Sequence, residues 1–460
     1  MKDRPMTEPI TVASPFRGLR YHLQRHGDLS DLVTPPYDVI SQTMQEALYQ
    51  RHPHNFIRLE LPQGAASDTE SDSRYARAAA SLAEWREAGV LLRDTSPSLY
   101  VLEQEFSLRG RSWRRRGVFL LIRLPEEGES YVLAHEGTLS GPKADRLRMM
   151  RACHAMTSPI MAMCEDPQAR LAELLQQVQG LPEATAEQDG EVAHRLWPIQ
   201  DPAVIEAIVS AVGPGPIFIA DGHHRFETAV TYRNEMRQSL PQAPPDAGFN
   251  YALALIVSAE EGGLQILPTH RLVAGVHEDC TDRIKARMTE FFDVHRWELP
   301  DPESLGSQPW LEGVAPDRHV FGAYCGDGHY YVLTARDEML PPAASVVDRL
   351  DVSILHQHLI DPIVQSVEDR PETDGPVSHD SHTAGSACRG ARLTYIVDEQ
   401  QAVAAVGRGD YDFAFFLRPT RISDVLAAAR AGERMPGKST YFYPKLPAGM
   451  VFSDASPEPI

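Results

Sequence analysis

PIFIADGHHRFETAV, residues 216–230, joins a short apolar run to a crowded polar one. The apolar residues 216–220 are typical of a buried strand, and the spacing of the apolar residues after them predicts a helix that begins near His223. A glycine between the two lets the backbone approach a ligand closely, and the free N–H groups at a helix start attract anions. This order of strand, glycine and helix predicts a mixed α/β fold with a phosphate site at the junction.

The junction consists of Asp221, Gly222, His223, His224 and Arg225. The guanidinium of Arg225 would add charged donors to the helix start, so Gly222 and Arg225 are candidate phosphate-binding residues. Asp221, His223 and His224 are candidate catalytic residues. In the alternative interpretation Asp221 only caps the helix and the histidines hydrogen-bond locally. We favour the phosphate role because these polar groups follow directly on a buried strand.

A second polar cluster is HEGTLSGPKADRL, residues 135–147. Glu136 or His135 could act as a base, while Lys143 and Arg146 could offset phosphate charge, and phosphoryl transfer needs both kinds of group. The alternative is a loop in which Arg146 pairs with its neighbour Asp145. The residues alone leave both interpretations open.

Two further segments are candidate phosphate or nucleotide sites. LPTHRLV places Thr269, His270 and Arg271 just after a strand, and ERMPGKSTYFYPKLPAG, residues 433–449, lies between prolines near the end of the chain. A binding loop and a packed aromatic edge both fit the second segment. For LVTPPYDVIS, residues 32–41, we favour a rigid turn before a helix. The candidates in the 433–449 segment are Lys438, Ser439 and Thr440.

The composition excludes several classes of function. The chain has 460 residues with 64 acidic against 44 basic side chains, and a net charge of −20 argues against nucleic-acid partners. Its five cysteines form no CxxC pair, and we expect neither a disulfide framework nor a cysteine-based zinc site and assign no residue as a metal ligand. The sequence shows no signal peptide and no apolar run of membrane-spanning length, so we expect no membrane association and a cytoplasmic location. One basic cluster, residues 109–116, is interpreted as a solvated hairpin tip in preference to a phosphate site.

Along the chain we expect a flexible N-terminus at 1–14, an N-terminal α/β portion with an antiparallel sheet at 15–165, and a DGHHR-containing portion at 166–285. A C-terminal α/β portion at 286–453 and a loose tail at 454–460 would follow. Residues 166–210 are expected to be mostly helical. The polar stretch 367–391 is interpreted as an exposed insertion, and its histidines, with His358 upstream, as solvated rather than metal-binding.

Seven motifs, in this order and over nearly the whole chain, resemble the DUF1015 family. They are PFRGLR at 15–20, PPYDVIS at 35–41, HEGTLSGPKADRL at 135–147, SPIMAMC at 158–164, IADGHHRFETA at 219–229, LPTHRLV at 267–273 and MPGKSTYFYPKL at 435–446. The DGHHR box also resembles the phosphate-binding box of the ParB and sulfiredoxin superfamily, in particular that of its free-serine kinases. His223 stands where sulfiredoxin has its reactive cysteine, which disfavours sulfinic acid reduction.

The resemblance implies a ParB/sulfiredoxin-like core. To this core the residues add an antiparallel sheet, because LYVLEQEF, GVFLLIRL and SYVLAHEGTL predict three consecutive strands from about residue 99 to 139, and a C-terminal α/β portion. It implies a small-molecule phosphotransferase, most simply a kinase or phosphatase acting between serine and phosphoserine. The phosphate donor would be ATP or a related compound, with Mg²⁺ as the accompanying ion. The alternative is a ParB-like binding module that responds to a nucleotide without turning over a metabolite.

Overall fold

The computed structural model describes residues 12–69, 73–213, 215–276, 278–298, 318–339, 344–362, 364 and 391–460. The chain divides into two compact units, each made of segments that are distant in sequence. The first unit comprises Met1–Ala134, Thr138–Gln265 and Phe442–Ile460, and the second comprises His135–Gly137 and Ile266–Tyr441. The portions expected at 15–165, 166–285 and 286–453 follow chain order, whereas both units are discontinuous.

The first unit is built on a mixed sheet. Its strands are β1 Ala13–Ser14, β2 Leu19–Tyr21, β3 Leu91–Arg93, β4 Leu99–Leu108, β5 Arg111–Arg123, β6 Val132–Leu133, β7 Ala155–Met156, β8 Ile160–Cys164, β9 Ala184–Gln188, β10 Val192–Ile199, β11 Ile217–Asp221, β12 Tyr251–Ser258 and β21 Ser453–Asp454. Within the described ranges, nine of them form one sheet in the order β6-β11-β8-β12-β5-β4-β10-β9, with β1 paired to β5. Strand β12, YALALIVS, is buried along nearly its whole length because it lies between β8 and β5.

Helices cover this sheet and position its loops. They are α1 Leu23–His26, α2 Gln42–Arg51, α3 Ile57–Glu60, α4 Arg74–Glu87, α5 Ser140–Cys153, α6 Arg170–Gln177, α7 Pro202–Val212 and α8 His223–Ser239. Helix α8 packs against α5 and against strands β8 and β12. The predicted sequence of buried strand, glycine and helix is therefore present as β11, Gly222 and α8, and the mixed α/β class is confirmed.

The strands expected between residues 99 and 139 differ in part from the prediction. The first two form the hairpin β4–β5, which pairs in the same sheet as β11. The third is reduced to Val132–Leu133, which pairs in parallel with β11 instead of continuing the hairpin. Its apolar run stops at Ala134, so there is too little alternating pattern to extend a strand.

The expectation that residues 166–210 are mostly helical is wrong. Strands β9 and β10 pair antiparallel there, and β10 pairs in turn with β4. The signal was in the sequence, because Val192, His194 and Leu196 alternate toward the core. Asp189 and Gly190 form the turn between the two strands, and both have positive φ.

The end of the chain is packed, contrary to the expected loose tail at 454–460. Asp454 pairs in β21 with β7, and the amides of Gly248 and Phe249 donate to the carbonyls of Glu458 and Ser456. The amide of Ile460 donates to Asp246. These backbone hydrogen bonds hold the tail in place, although its polar composition predicted a free end.

The second unit is built on an antiparallel sheet. Its strands are β14 His270–Ala274, β15 Phe292–Glu298, β16 Val320–Tyr324, β17 His329–Ala335, β18 Arg392–Ile396 and β19 Phe413–Phe416, and its helices are α9 Glu278–Phe291, α10 Asp351–Leu355, α11 Glu399–Gly407 and α12 Ile422–Ala431. Within the described ranges the strand order is β15-β17-β16-β19-β14-β18. Short strands β13 Gln265–Leu267 and β20 Tyr441–Tyr443 lie where the chain passes between the units.

The core of the second unit lies between its sheet and α11. Tyr330 and Phe416 stack with ring centroids 5.4 Å apart, and Val403 and Val406 of the helix join the same buried cluster. The insertion expected at 367–391, with His379 and His382, lies outside the described residues except at its last position. In the part of the chain that the structure describes, no helix combines the length and apolar character needed to cross a membrane.

Candidate active site

The junction between β11 and α8 depends on one glycine. Gly222 has φ 96° and ψ 29°, a left-handed conformation that side chains disfavour, and it precedes the first helical residue His223. A Cβ at this position would lie 2.9 Å from Nε of Arg225. The absence of a side chain therefore lets Arg225 fold back over the start of its own helix.

Asp221, at the end of β11, lies between two cations. Nζ of Lys445 is 2.9 Å from its Oδ2, and Nη2 of Arg225 is 3.4 Å from its Oδ1. The side chains of Lys445, Asp221 and Arg225 are 12%, 19% and 7% exposed. Burial alone would raise the pKa of Asp221, but the charges of Lys445 and Arg225 outweigh it and hold the pKa well below its usual value.

Arg225 also faces the PPYDVIS motif. Burial alone would lower the pKa of Arg225, but the charges of Asp221 and Asp38 and the neighbouring Tyr37 raise it, so the guanidinium stays charged. Its Nη1 donates to the carbonyl of Pro159 in the SPIMAMC motif. Asp38 itself is exposed. The DGHHR box and the PPYDVIS and SPIMAMC motifs, which are far apart in sequence, thus meet around Arg225.

Glu60, the last residue of α3, is completely buried in the same region. Its carboxylate accepts the amide of Tyr37 at 2.9 Å and the hydroxyls of Thr157, at 3.2 Å, and Ser158. These bonds fix the PPYD loop to the segment between β7 and β8, which carries Pro159. Glu60 could not be identified from the sequence, because IRLE at residues 57–60 carries no signal beyond a short helix.

The structure bears on one of the two interpretations of Arg146, whereas its role in offsetting phosphate charge stays a prediction. Arg146 pairs with Asp145, with Nε 2.9 Å from Oδ2, as the alternative interpretation expected. It also lies over the ring of Tyr37 at 4.1 Å and donates to the carbonyl of Glu60 at 2.7 Å. Burial raises the pKa of Tyr37 to about 12, so this phenol is neutral beside the two arginines.

His224 and Lys143 connect the box to the start of α5. The Nε2 of His224 accepts the amide of Leu139 at 2.8 Å. Glu227, one turn later on α8, binds Nζ of Lys143 at 2.9 Å and accepts the hydroxyl of Thr138 at 2.5 Å. Lys143 is therefore held near the helix start by a carboxylate, and His224 has a positioning contact with the backbone.

The basic cluster at 109–116 is not simply a solvated tip, which corrects the prediction. Arg115 is 1% exposed and donates to Oε1 of Gln104 and to the carbonyls of Tyr443 and Pro444. The arginines at 109, 111 and 114 are exposed as expected, whereas Arg116 is half-buried and pairs with Glu103. Arg115 faces inward because strand residues alternate, and it thereby fixes the backbone next to Lys445.

In the second unit, His135 and Glu136 contact the MPGKST segment. His135 is completely buried, with Nε2 3.3 Å from Oγ1 of Thr440. Oε1 of Glu136 accepts the amide of Lys438 at 2.7 Å, and Ser439 donates to the carbonyl of Pro436. The prediction that His135 or Glu136 acts as a base stays a prediction.

Thr269, His270 and Arg271 are buried at the start of β14. Nδ1 of His270 accepts the amide of Leu417 at 3.2 Å. Arg271 donates from Nε to Nε2 of His356 at 3.1 Å and lies over the ring of Tyr395 at 4.9 Å. Among the described residues, no group of three or more His, Cys, Asp or Glu side chains is arranged to hold a metal ion.

Comparison with known proteins gives a family and a set of similar folds. A family model described as "Protein of unknown function (DUF1015)" matches residues 13–353. A structure titled "Free serine kinase in complex with AMP" is 13% identical, with 74% of this chain and 91% of that chain covered and a TM-score of 0.35. No curated protein matches the sequence.

Two other solved structures are similar at the same level. A conserved hypothetical protein from Pyrococcus furiosus is 13% identical, with 74% of this chain and 95% of that chain covered and a TM-score of 0.33. SbnI with a C-terminal truncation, from Staphylococcus aureus, is 10% identical, with 71% of this chain and 84% of that chain covered and a TM-score of 0.31.

Proposed function

The chain belongs to the DUF1015 family, and from this premise and its own residues we propose that it is a small-molecule phosphotransferase with its phosphate site at Gly222–Arg225. The observation that carries the proposal is the pair of cations, Lys445 and Arg225, held on one carboxylate at the start of α8. A phosphate at this point would meet helix N–H groups together with a guanidinium fixed before the ligand arrives.

The role of Asp221 follows from its two ion pairs. Because it stays ionised, it keeps Arg225 charged and holds Lys445 and Arg225 close together at neutral pH. An incoming phosphate would therefore meet two cations beside Asp221, while the charges of Asp38 and Glu60 also act on Arg225. Phosphoryl transfer depends mainly on positioning and on neutralising the charge of the transferred group, and both are built into this arrangement.

For the proton of the acceptor hydroxyl we propose Asp38. It is exposed, its charge acts on Arg225, and it belongs to the loop that Glu60 fixes. Glu60 is less suited, because its carboxylate is completely buried and engaged by two hydroxyls and an amide. We place Asp38 ahead of His135, which is completely buried, and of Glu136, whose Oε1 already accepts an amide.

Lys143 and Arg146 would support the charge of the transferred group. Lys143 is 36% exposed and paired with Glu227, so it can turn from that carboxylate to a phosphate at small cost. Arg146 is 6% exposed and held by Asp145, which makes it a fixed part of the wall beside Tyr37.

The finer parts of the proposal rest on the resemblance of the DGHHR box to that of free-serine kinases. Serine or phosphoserine is the proposed substrate, and ATP or ADP the proposed phosphate partner. Mg²⁺ would arrive with the nucleotide, since the phosphates themselves supply oxygen ligands.

A thermal-shift panel tests the proposal. The full chain is heated with ATP, ADP, CTP, pyrophosphate, serine or phosphoserine, each with and without Mg²⁺. A ligand at 100 times its Kd stabilises the native state by about 2.7 kcal/mol, which raises Tm by roughly 5 °C for a unit of this size. We expect such a rise with an adenine nucleotide or with phosphoserine. A rise with CTP alone would favour the nucleotide-responsive binding module, and no rise with any of them would contradict the proposal.

A further inference from the structure

The segment GERMPGKS, residues 432–439, matches the spacing GxxxxGK[ST] of phosphate-binding loops. In nucleotide-hydrolysing proteins that loop follows a strand and opens a helix. Here it follows α12 and leads into β20, with Gly432 in a left-handed conformation at the helix end. The segment therefore has the residue spacing of a phosphate-binding loop but lies between a helix and a strand. Its ligand must be inferred from the contacts that these residues make in this structure.

A carboxylate already occupies one backbone donor of this loop. Oε1 of Glu136 accepts the amide of Lys438 at 2.7 Å, and Lys438 has φ 59°, in the left-handed region. The loop is held in place on both sides, because Met435 donates its amide to His135 and Thr420 donates its hydroxyl to the carbonyl of Ser439. The oxyanion that accepts the backbone amide of Lys438 is therefore the protein's own Glu136 carboxylate.

Two buried donors in the described part of the second unit are unused. Within the described residues, Nη2 of Arg271 and Oγ1 of Thr269 are buried without a hydrogen-bond partner, and the two residues are 1% and 7% exposed. The charge of Glu136 acts on Arg271. Burial lowers the pKa of Arg271 to about 10, so it is charged at neutral pH. Buried donors of this kind are costly unless something binds them.

We propose that the loop 432–439, Arg271 and Thr269 form a second oxyanion site, which takes a phosphate group when the carboxylate of Glu136 moves aside. The site lies in the second unit and shares no residue with the Gly222–Arg225 box, so it does not rest on the proposed activity. Its groups are a guanidinium nitrogen, a hydroxyl, a backbone N–H and the exposed ammonium of Lys438.

The chemistry of these groups selects the ligand. A phosphate oxygen can accept from each of them, and arginine and lysine together favour a group with more than one negative charge. Glu136 acts as an internal competitor: it satisfies the loop in the empty state, and its negative charge opposes a second anion. Removing that charge should therefore strengthen phosphate binding, which is the opposite of what removing a ligand-binding residue does.

Titration calorimetry with pyrophosphate on the full chain tests this inference. Lys438→Ala removes an exposed ammonium and should weaken binding about tenfold, as expected for one charged hydrogen bond. Glu136→Gln keeps an acceptor for the Lys438 amide but removes the competing charge, and should strengthen binding about tenfold. Arg434→Ala removes an equally exposed cation of the same loop and serves as the matched control, with no more than about a twofold change.

The two active substitutions lie outside the Gly222–Arg225 box, so their effects report on this site alone. Opposite changes for Lys438→Ala and Glu136→Gln, with Arg434→Ala unchanged, would support it. The inference is overturned if all chains bind pyrophosphate alike, if none binds it, or if Glu136→Gln weakens binding. Melting curves of each variant establish that the folded chain is being measured.

Discussion

Asp221 is a single residue that contributes ion pairs to the fold and belongs to the proposed phosphate site. Its carboxylate is bound by Lys445 from the end of the chain and by Arg225 from the next turn. Each cation lowers the pKa of the carboxyl, and the carboxylate in turn keeps both cations in place. The arrangement is costly to break, because loss of one partner leaves a charge with little access to water.

We predict that Asp221→Asn destabilises the protein in a pH-dependent way. Breaking a buried ion pair costs about 3–5 kcal/mol, and the partial exposure of Asp221 favours the lower end. Because the pKa of Asp221 is lower in the folded than in the unfolded chain, its contribution is complete above about pH 4 and is lost as pH falls toward the folded value. Urea unfolding from pH 7 to 3 should show the difference shrinking below about pH 4.

The control for this prediction is Asp31→Asn, which changes an exposed aspartate of the same unit. Its unfolding free energy should stay within about 0.5 kcal/mol of the parent. A loss for Asp221→Asn that is the same at pH 7 and pH 3 would contradict the ion-pair account and point to packing instead.

At the scale of elements, the turn from β11 into α8 fixes where Arg225 can lie. Gly222→Ala would place a Cβ at φ 96°, 2.9 Å from Nε of Arg225. We expect a loss of about 1–2 kcal/mol from the left-handed backbone, together with at least about tenfold weaker phosphate binding, because the guanidinium must move. Denaturant melts and calorimetry measure the two effects.

Gly128→Ala is the control that separates the cost of a left-handed backbone from the displacement of the Arg225 side chain. Gly128 has φ 88° with nothing within 4 Å of an added Cβ, so it carries a similar backbone cost without a clash. It should lose stability but keep phosphate affinity. Equal affinities in the two variants would mean that the contact between Gly222 and Arg225 does not shape the site.

The hairpin β4–β5 acts on the site through Arg115. Arg115→Met would leave the carbonyls of Tyr443 and Pro444 and the amide oxygen of Gln104 without their donor. We expect a loss of about 3 kcal/mol, and weaker phosphate binding because Lys445 follows directly on these carbonyls. Arg114→Met, at a side chain 66% exposed, is the control and should change neither. An unchanged free energy of unfolding for Arg115→Met would contradict the role of Arg115 in fixing the backbone next to Lys445.

At the scale of the molecule, the local pattern of the sequence predicted the elements better than their assembly. β11, Gly222 and α8 follow from fifteen consecutive residues, because burial and helical spacing are local properties. The meeting of Arg225 with Pro159, and of Asp221 with Lys445, spans 66 and 224 residues. No periodicity encodes such contacts, although the motifs that supply them were recognisable.

Charge and polarity misled the prediction where tertiary contacts override composition. Five arginines near one turn suggested a solvated tip, yet alternation along β5 directs Arg115 inward. The polar tail was expected to be loose, yet its backbone pairs with residues 246–249. In both cases the deciding partners are carbonyls and amides, which look the same at every position of a sequence.

Phosphoryl transfer itself is the most direct test of the central claim. The full chain is incubated with Mg²⁺, ATP or ADP and serine, and separately with phosphoserine, and serine and phosphoserine are measured by mass spectrometry. We predict transfer or hydrolysis in one direction. Arg225→Ala should lower kcat/KM about 100-fold or more, whereas Arg237→Ala, on the same helix but bound to Glu126, should leave it nearly unchanged. Arg225→Lys, which keeps the charge, should recover part of the activity. No reaction in any combination, or an Arg225→Ala enzyme as active as Arg237→Ala, would contradict the account.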